Sequence, residues 1–205
     1  KIKKQLLQKK FFARHSKEVA RDLIGCSLSK KDKSNNILNG LIVETEAYSQ
    51  EEEACHGFKK RTPSNHTLFE EPGLFYVYKT YGIHYCLNVV TDKKNFASGV
   101  LIRSVFINNE PERVASGPGL LTKRFGIDKN FNSLKSYDNN YLRIYEGEKD
   151  ITYSDLVQTT RIGISRAKDL KWRWYLKNSR SISIREKGDK NPSINTKPSM
   201  NSINF

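Results

Sequence analysis

Apolar and aromatic residues recur at every second position along two stretches of this chain, and that period constrains the fold more than any other feature. Leu74, Tyr76 and Tyr78 share one strand face; beyond Tyr81-Gly82, Ile83, Tyr85, Leu87 and Val89 share another. Asn88 consequently points away from that second face. Leu38 to Thr45 reads as a buried strand, with a partner strand expected around Cys26 to Lys30, across the turn-prone Lys33-Ser34-Asn35-Asn36. Val100 to Val105 adds another buried strand, interrupted by Arg103, which either crosses a sheet edge or serves a site. Glu44 and Glu46 lie two apart near a strand end, so both carboxylates project from the same side where strand gives way to loop.

Helical patterns are fewer. Ser16 is placed to cap a helix whose Val19, Ala20, Leu23 and Ile24 share one face, with Gly25 as its stop. Ser116-Gly117-Pro118-Gly119-Leu120-Leu121-Thr122-Lys123-Arg124-Phe125-Gly126 has Pro near the first turn, basic residues in the last and Gly afterwards. Its start is either an ordinary cap or an anion site, since glycines expose backbone donors there. Arg161-Ile162-Gly163-Ile164 has the look of a short strand, and Leu170 to Leu176 supplies bulky packing, with Trp172 and Trp174 read as core. Tyr48 to His66 is a long, charged connection closed by Pro72-Gly73, and functional groups concentrate in such loops. These elements predict one domain over 11–187, preceded by a basic segment at 1–10 and followed by a mobile polar tail at 188–205, with no linker or internal repeat.

Lys and Arg total 36 against 22 Asp and Glu, so 36 − 22 gives a net charge of +14. That excess points toward an anionic partner such as nucleic acid, although a lysine- and asparagine-rich background produces the same number and says nothing about chemistry. Cys26, Cys55 and Cys86 are odd in number and lack paired spacing, which disfavours a disulfide framework or a zinc ribbon and fits a reducing, intracellular setting. No apolar run approaches the roughly 18 residues of a membrane span, and Lys1 to Lys10 lacks the apolar core of a secretory signal, so a soluble protein without a membrane partner is expected. The chain opens on Lys1, so an upstream segment could precede it.

The chemistry-bearing residues cluster between positions 43 and 103. Carboxylates activate water, tyrosine and histidine rings stack on a base, and a positive surface holds the surrounding phosphates. Taken singly, each has a plainer role. Arg103 would be structurally paired, Tyr76, Tyr78 and Tyr85 would pack in strands, His56 would hold a local loop hydrogen bond, and Asn88 would be a satisfied polar group at a sheet position.

Their joint order resembles the alkyladenine (3-methyladenine) DNA glycosylase family. The resemblance runs from about Phe11 to about Arg185. It includes Phe11-Phe12, Val19-Ala20-Arg21-Asp22-Leu23-Ile24-Gly25, Glu44-Thr45-Glu46-Ala47-Tyr48, Arg61-Thr62-Pro63, Tyr76-Val77-Tyr78, Tyr81-Gly82-Ile83-His84-Tyr85-Cys86-Leu87-Asn88, Ser116-Gly117-Pro118-Gly119 and Arg161-Ile162-Gly163-Ile164. It implies an α+β fold, a single compact domain with a curved antiparallel sheet wrapped by helices. It also implies a cofactor-free, metal-free DNA repair enzyme, expected to act as a monomer on double-stranded DNA carrying damaged purines. Such an enzyme flips the nucleotide and hydrolyses its N-glycosidic bond with water. By position, Glu46 matches the general base and Arg103 the residue that helps hold the water and the carboxylate. Tyr48, His56 and Tyr78 match the walls on which the base stacks, Tyr81 the wedge left in the duplex, and Asn88 the residue that screens purines by their 2-amino group. The spacing of Glu44 and Glu46 alone does not choose between them; the resemblance selects Glu46 and leaves Glu44 structural. The chain departs from the family by one residue fewer between Glu46 and His56, with Ser49-Gln50-Glu51 in place of a Leu-Gly-Pro turn, so a different loop path is expected.

Two other classes compete. Glu44, Glu46, Cys55, His56, His84 and Cys86 include metal-ligand types, but zinc-deaminase cysteine spacing and a His-Glu-x-x-His helix are missing. A nucleic-acid-binding module without catalysis would use the same rings and charge, and turnover separates it from an enzyme.

Overall fold

The computed structural model describes residues 4–147 and 150–194. In chain order its helices and strands are α1 (Lys9–Phe12), α2 (Ser16–Asp22), β1 (Ser27–Lys31), β2 (Ile37–Ser49), β3 (Phe75–Thr80), β4 (His84–Val90), β5 (Ser98–Phe106), α3 (Pro118–Phe125), β6 (Leu142–Tyr145), β7 (Leu156–Thr159) and β8 (Arg173–Leu176). The strands form one antiparallel sheet in the order β3-β4-β5-β2-β1-β6, with β8 joined to β2 and β7 to β8. β2 organises the sheet because its 13 residues serve two partners along one edge, β1 near its start and β8 over Glu44 to Glu46, while β5 runs along the other. The result is the single compact α+β domain that the family resemblance implies, with a curled antiparallel sheet and few helices.

The two-residue period sorts side chains onto two faces. Ala47, Phe75, Val77, Leu87, Val89, Val100 and Ile102 enter the main core, joined by Val19, Ala20 and Leu23 from the α2 region and Leu121 and Phe125 from α3. Thr45 ties the sheet to α2 by donating its hydroxyl to Ala20 O at 2.7 Å. A smaller cluster gathers Leu74, Tyr76, Val90 and Ala97 with Cys55, Leu68 and Phe69, and Tyr48 and Tyr78 pack against it. At the sheet's other end the N-terminal segment covers β6: Leu7 is buried and donates its N–H to Ile144 O at 2.9 Å, which blunts an exposed edge.

Four local expectations change. Ile83 does not join the apolar face of β4; it is 70% exposed, because the β3–β4 turn runs to it and the strand begins only at His84. His15, not Ser16, caps α2, its Nδ1 accepting from Lys17 N at 3.1 Å, while Ser16 is the first helical residue. Arg161 to Ile164 forms no strand, because Gly163 turns the backbone at φ +73° and the Ile162 N–H is drawn to a side chain instead of a ladder. Trp174 is core, but Trp172 is only half-buried at the core's margin. In the segment read as a tail, Asp189 accepts from Tyr175 and Arg185, and Pro192 O accepts from Arg180; residues 195–205 lie outside the described residues.

Candidate active site

Strand register assembles the site. Directly paired residues lie on one face of a sheet, and the pairs Tyr76↔Asn88, Asn88↔Leu101, Leu101↔Glu46 and Glu46↔Arg173 draw one row across five strands. Tyr78 pairs with Cys86 in a row alongside. Between β2 and β5 the register slips twice, on either side of Glu44. Val43 is the extra residue on β2 and Arg103 the extra residue on β5, so Arg103 has no partner across the ladder. This interior bulge, and no sheet edge, explains the arginine that interrupts an apolar strand.

The guanidinium of Arg103 sits between the two carboxylates, its Nη1 3.4 Å from Glu46 Oε2 and its Nε 3.4 Å from Glu44 Oε1. The Nε contact is ionic only, since no acceptor lies in hydrogen-bond alignment with that buried nitrogen. Burial pulls the Arg103 pKa down, but the Glu46 and Glu44 carboxylates outweigh it and hold the group above its ordinary value. Glu44 is saturated: it accepts from Ser104 Oγ at 2.7 Å, Arg173 Nη1 at 2.9 Å, Ser183 N at 2.8 Å and Ser183 Oγ at 2.9 Å. Glu46 accepts from Ile162 N at 2.7 Å on Oε1 and from the Tyr48 hydroxyl at 2.8 Å on Oε2. Burial, then the neighbouring Glu46 charge and the bond to it, push the Tyr48 phenol well above its usual pKa, so it remains a donor.

In front of this cluster lies a cavity of about 420 Å³, within the range of small-molecule sites. Tyr48, His56, Tyr78, Tyr81, Asn88 and Arg103 all line it. Glu46 does not: it is fully buried, one contact behind Tyr48, Arg103 and Ile162, which do. The His56 ring stands 4.6 Å from the Tyr78 ring at 66°, and its Nδ1 is 3.3 Å from the Tyr76 hydroxyl. Burial lowers the His56 pKa and favours the neutral imidazole, and burial raises those of Tyr76 and Tyr78. Asn88 donates from Nδ2 to Tyr76 O at 3.1 Å. Tyr81, 89% exposed at φ +50°, occupies the β3–β4 turn.

The loop after β2 has a defined path. Gln50 clasps Ala97 from both sides, N–H to Ala97 O at 2.7 Å and side-chain oxygen to Ala97 N at 2.9 Å. Glu52 then accepts from Ala54 N at 2.8 Å, setting the turn that leads to His56.

Sequence reasoning missed several lining residues. Cys86 and Leu101 stand two positions from Asn88 and Arg103, so the same alternation would have found them. Pro118, Gly119 and Ile162 to Ile164 arrive from distant segments that the sequence marked as motifs but did not place at the cavity. Gly119 is needed there, because a Cβ would meet the His84 ring at 2.9 Å. Among the described residues no group of three His, Cys, Asp or Glu side chains converges as a metal site. Burial also pushes the Cys55 thiol up to about 12.

The cavity is thus walled by aromatic rings and backed by a buried carboxylate. The family model "Methylpurine-DNA glycosylase" matches residues 10–180. A relative from Trichodesmium erythraeum, named "Putative 3-methyladenine DNA glycosylase", is 39% identical over 199 residues, covering 87% of this chain and 98% of its own. One of the same name from Carboxydothermus hydrogenoformans is 41% identical over 190 residues, with the same two shares of 87% and 98%. Another, from Synechococcus elongatus, is 37% identical over 170 residues, covering 83% and 87%. The chain belongs to the methylpurine-DNA glycosylase family. It is a DNA glycosylase, a hydrolase of N-glycosyl bonds in DNA repair.

Proposed function

We propose that this enzyme takes an alkylated or deaminated purine nucleotide out of duplex DNA into the 420 Å³ cavity and hydrolyses its N-glycosidic bond with water, leaving an abasic site. The observation that carries the reading is the Glu46 carboxylate directly behind the ring-lined wall, bonded to Tyr48 and paired with Arg103.

Rotating a nucleotide out of the stack costs a few kcal/mol, which new ring contacts with Tyr48, His56 and Tyr78 offset. Tyr81, projecting from its turn, fills the gap left in the duplex. Asn88 screens the purine edge within the cavity. As the bond from C1′ to the base breaks, positive charge grows on the sugar and the Glu46 carboxylate stabilises it while accepting a proton from water. For water to reach that carboxylate, the Tyr48 hydroxyl gives up its 2.8 Å contact as the nucleotide enters. Arg103 keeps the carboxylate oriented. The hydroxyl oxygen of water joins C1′, the bonding pair leaves with the base, and an alkylated purine such as 3-methyladenine, already cationic, departs neutral without a second acid. No lysine lines the cavity among the described residues, which favours water over an amine as the nucleophile.

Glu46→Gln tests the reading. Abasic-site formation from alkylated duplex DNA under multiple turnover is expected to fall about 10²–10⁴-fold with DNA binding retained. Near-normal excision by the variant would overturn the role of Glu46, and DNA binding by the wild-type protein without turnover would favour a non-catalytic module.

A further inference from the structure

Behind the walls of the cavity lies a second buried ion pair that the proposed reaction does not use. Arg161 grips Glu52 with both arms, Nη1 to Oε1 at 2.8 Å and Nη2 to Oε2 at 2.9 Å. The two side chains are 0% and 6% exposed. Burying such a pair costs desolvation energy that an apolar pair would avoid, so the fold alone is weak reason for having it.

Two of its remaining contacts, Arg161 Nη2 to Ala167 O at 3.3 Å and the guanidinium carbon 5.4 Å from the Trp172 ring centre, lie outside the cavity, and the others lead to the site. Arg161 Nη1 also donates to Ala47 O at 2.9 Å, on the residue between Glu46 and Tyr48. Its guanidinium carbon stands 4.6 Å from the centre of the Tyr48 ring. The next residue, Ile162, donates the N–H that holds Glu46 Oε1. Glu52 Oε2 accepts from Ala54 N at 2.8 Å, and Ala54 lines the cavity two residues before His56. One ion pair therefore ties together three walls: the end of β2, the loop at 50–56 and the segment at 161–164.

We propose that Arg161 and Glu52 are positioning residues, which hold Tyr48 and the Ile162 N–H in register with Glu46 without touching the substrate. The inference rests on the reading of Glu46 as the general base. A planar two-pronged guanidinium suits this task, because a lysine makes one contact where arginine makes several in fixed directions.

The test measures base release from dimethyl-sulfate-treated DNA with enzyme saturating. Beside it, thermal midpoint and affinity for a duplex with a tetrahydrofuran abasic-site analogue are recorded. Arg161→Ala is expected to slow release about 100-fold while the folded variant still binds the analogue, since misplacement by about 1 Å is enough for such a loss. Millimolar guanidinium ion is expected to restore part of the rate, and Arg161→Lys to fall between. A wild-type rate in Arg161→Ala overturns the proposal, as does a loss that merely tracks the unfolded fraction and is not relieved by guanidinium. Should Arg161→Ala fail to fold, Glu52→Gln, which keeps the shape and removes the charge, is expected to slow release about 10-fold, and a wild-type rate there overturns the proposal. Absence of release by the wild-type enzyme would instead sink the proposed reaction.

Discussion

Strands β3, β4 and β5 send Phe75, Val77, Leu87, Val89, Val100 and Ile102 to one face of the sheet, and Tyr76, Tyr78, Cys86, Asn88, Leu101 and Arg103 to the other. The first set meets α2 and α3 and asks only for matching volume, since apolar burial is non-directional. The second set, with Glu44, Glu46 and Arg173 from neighbouring strands, is polar and largely buried, so nearly every atom needs a partner in a particular direction. Alternation one residue apart thus separates two tasks: one face supplies stability, and the other spends some of it on a constellation that water would otherwise scatter.

The sharpest way to break this comparison is to change one residue on each face and read both stability and rate. On the polar face, Glu46→Gln carries the largest expected effect, the rate loss described above. Next, Arg103→Met strips the shared cation from two buried carboxylates and is expected to cost about 3–5 kcal/mol in chemical denaturation, together with activity. On the apolar face, Leu87→Ala is expected to cost about 2–5 kcal/mol while each molecule still folded releases base at the wild-type rate. A tenfold fall in rate per folded molecule would show that the faces are not separable.

Smaller effects sharpen the division. The folded state lowers the His56 pKa below its usual 6.5, so the unfolded chain takes up that proton first, and stability declines as pH falls through and below 6.5. His56→Gln should flatten that decline in melts recorded across pH, and an unchanged slope would remove His56 as its source. Tyr81→Ser should leave stability within about 0.5 kcal/mol, because the ring is 89% exposed, yet weaken binding to a lesion-containing duplex. Unaltered binding would argue against a wedge at the β3–β4 turn.

Periodicity already marked β3, β4 and β5 and the outward direction of Asn88, because side-chain direction in a strand depends on neighbours one and two positions away. It also placed Glu44 and Glu46 on one side, and Arg103 reaches both. It misplaced Ile83 and the 161–164 segment, where a turn and a tertiary hydrogen bond override local preference. Which glutamate lies directly behind the cavity wall was likewise beyond local spacing. That depends on Ser104, Arg173 and Ser183 saturating Glu44, while Tyr48 and Ile162 hold Glu46 behind the wall.

By itself, then, the chain's sequence determined the strands, their inward and outward sides and, through ordered motifs, its family. Only the tertiary structure decided the bulge that frees Arg103 and the arrival of Ile162 and Arg161 from more than a hundred positions beyond Glu46. The physical reason is range. Alternation is a property of adjacent peptide units, whereas a buried charge is stabilised by whatever donors the folded chain brings within about 3 Å, and no local pattern encodes which those will be.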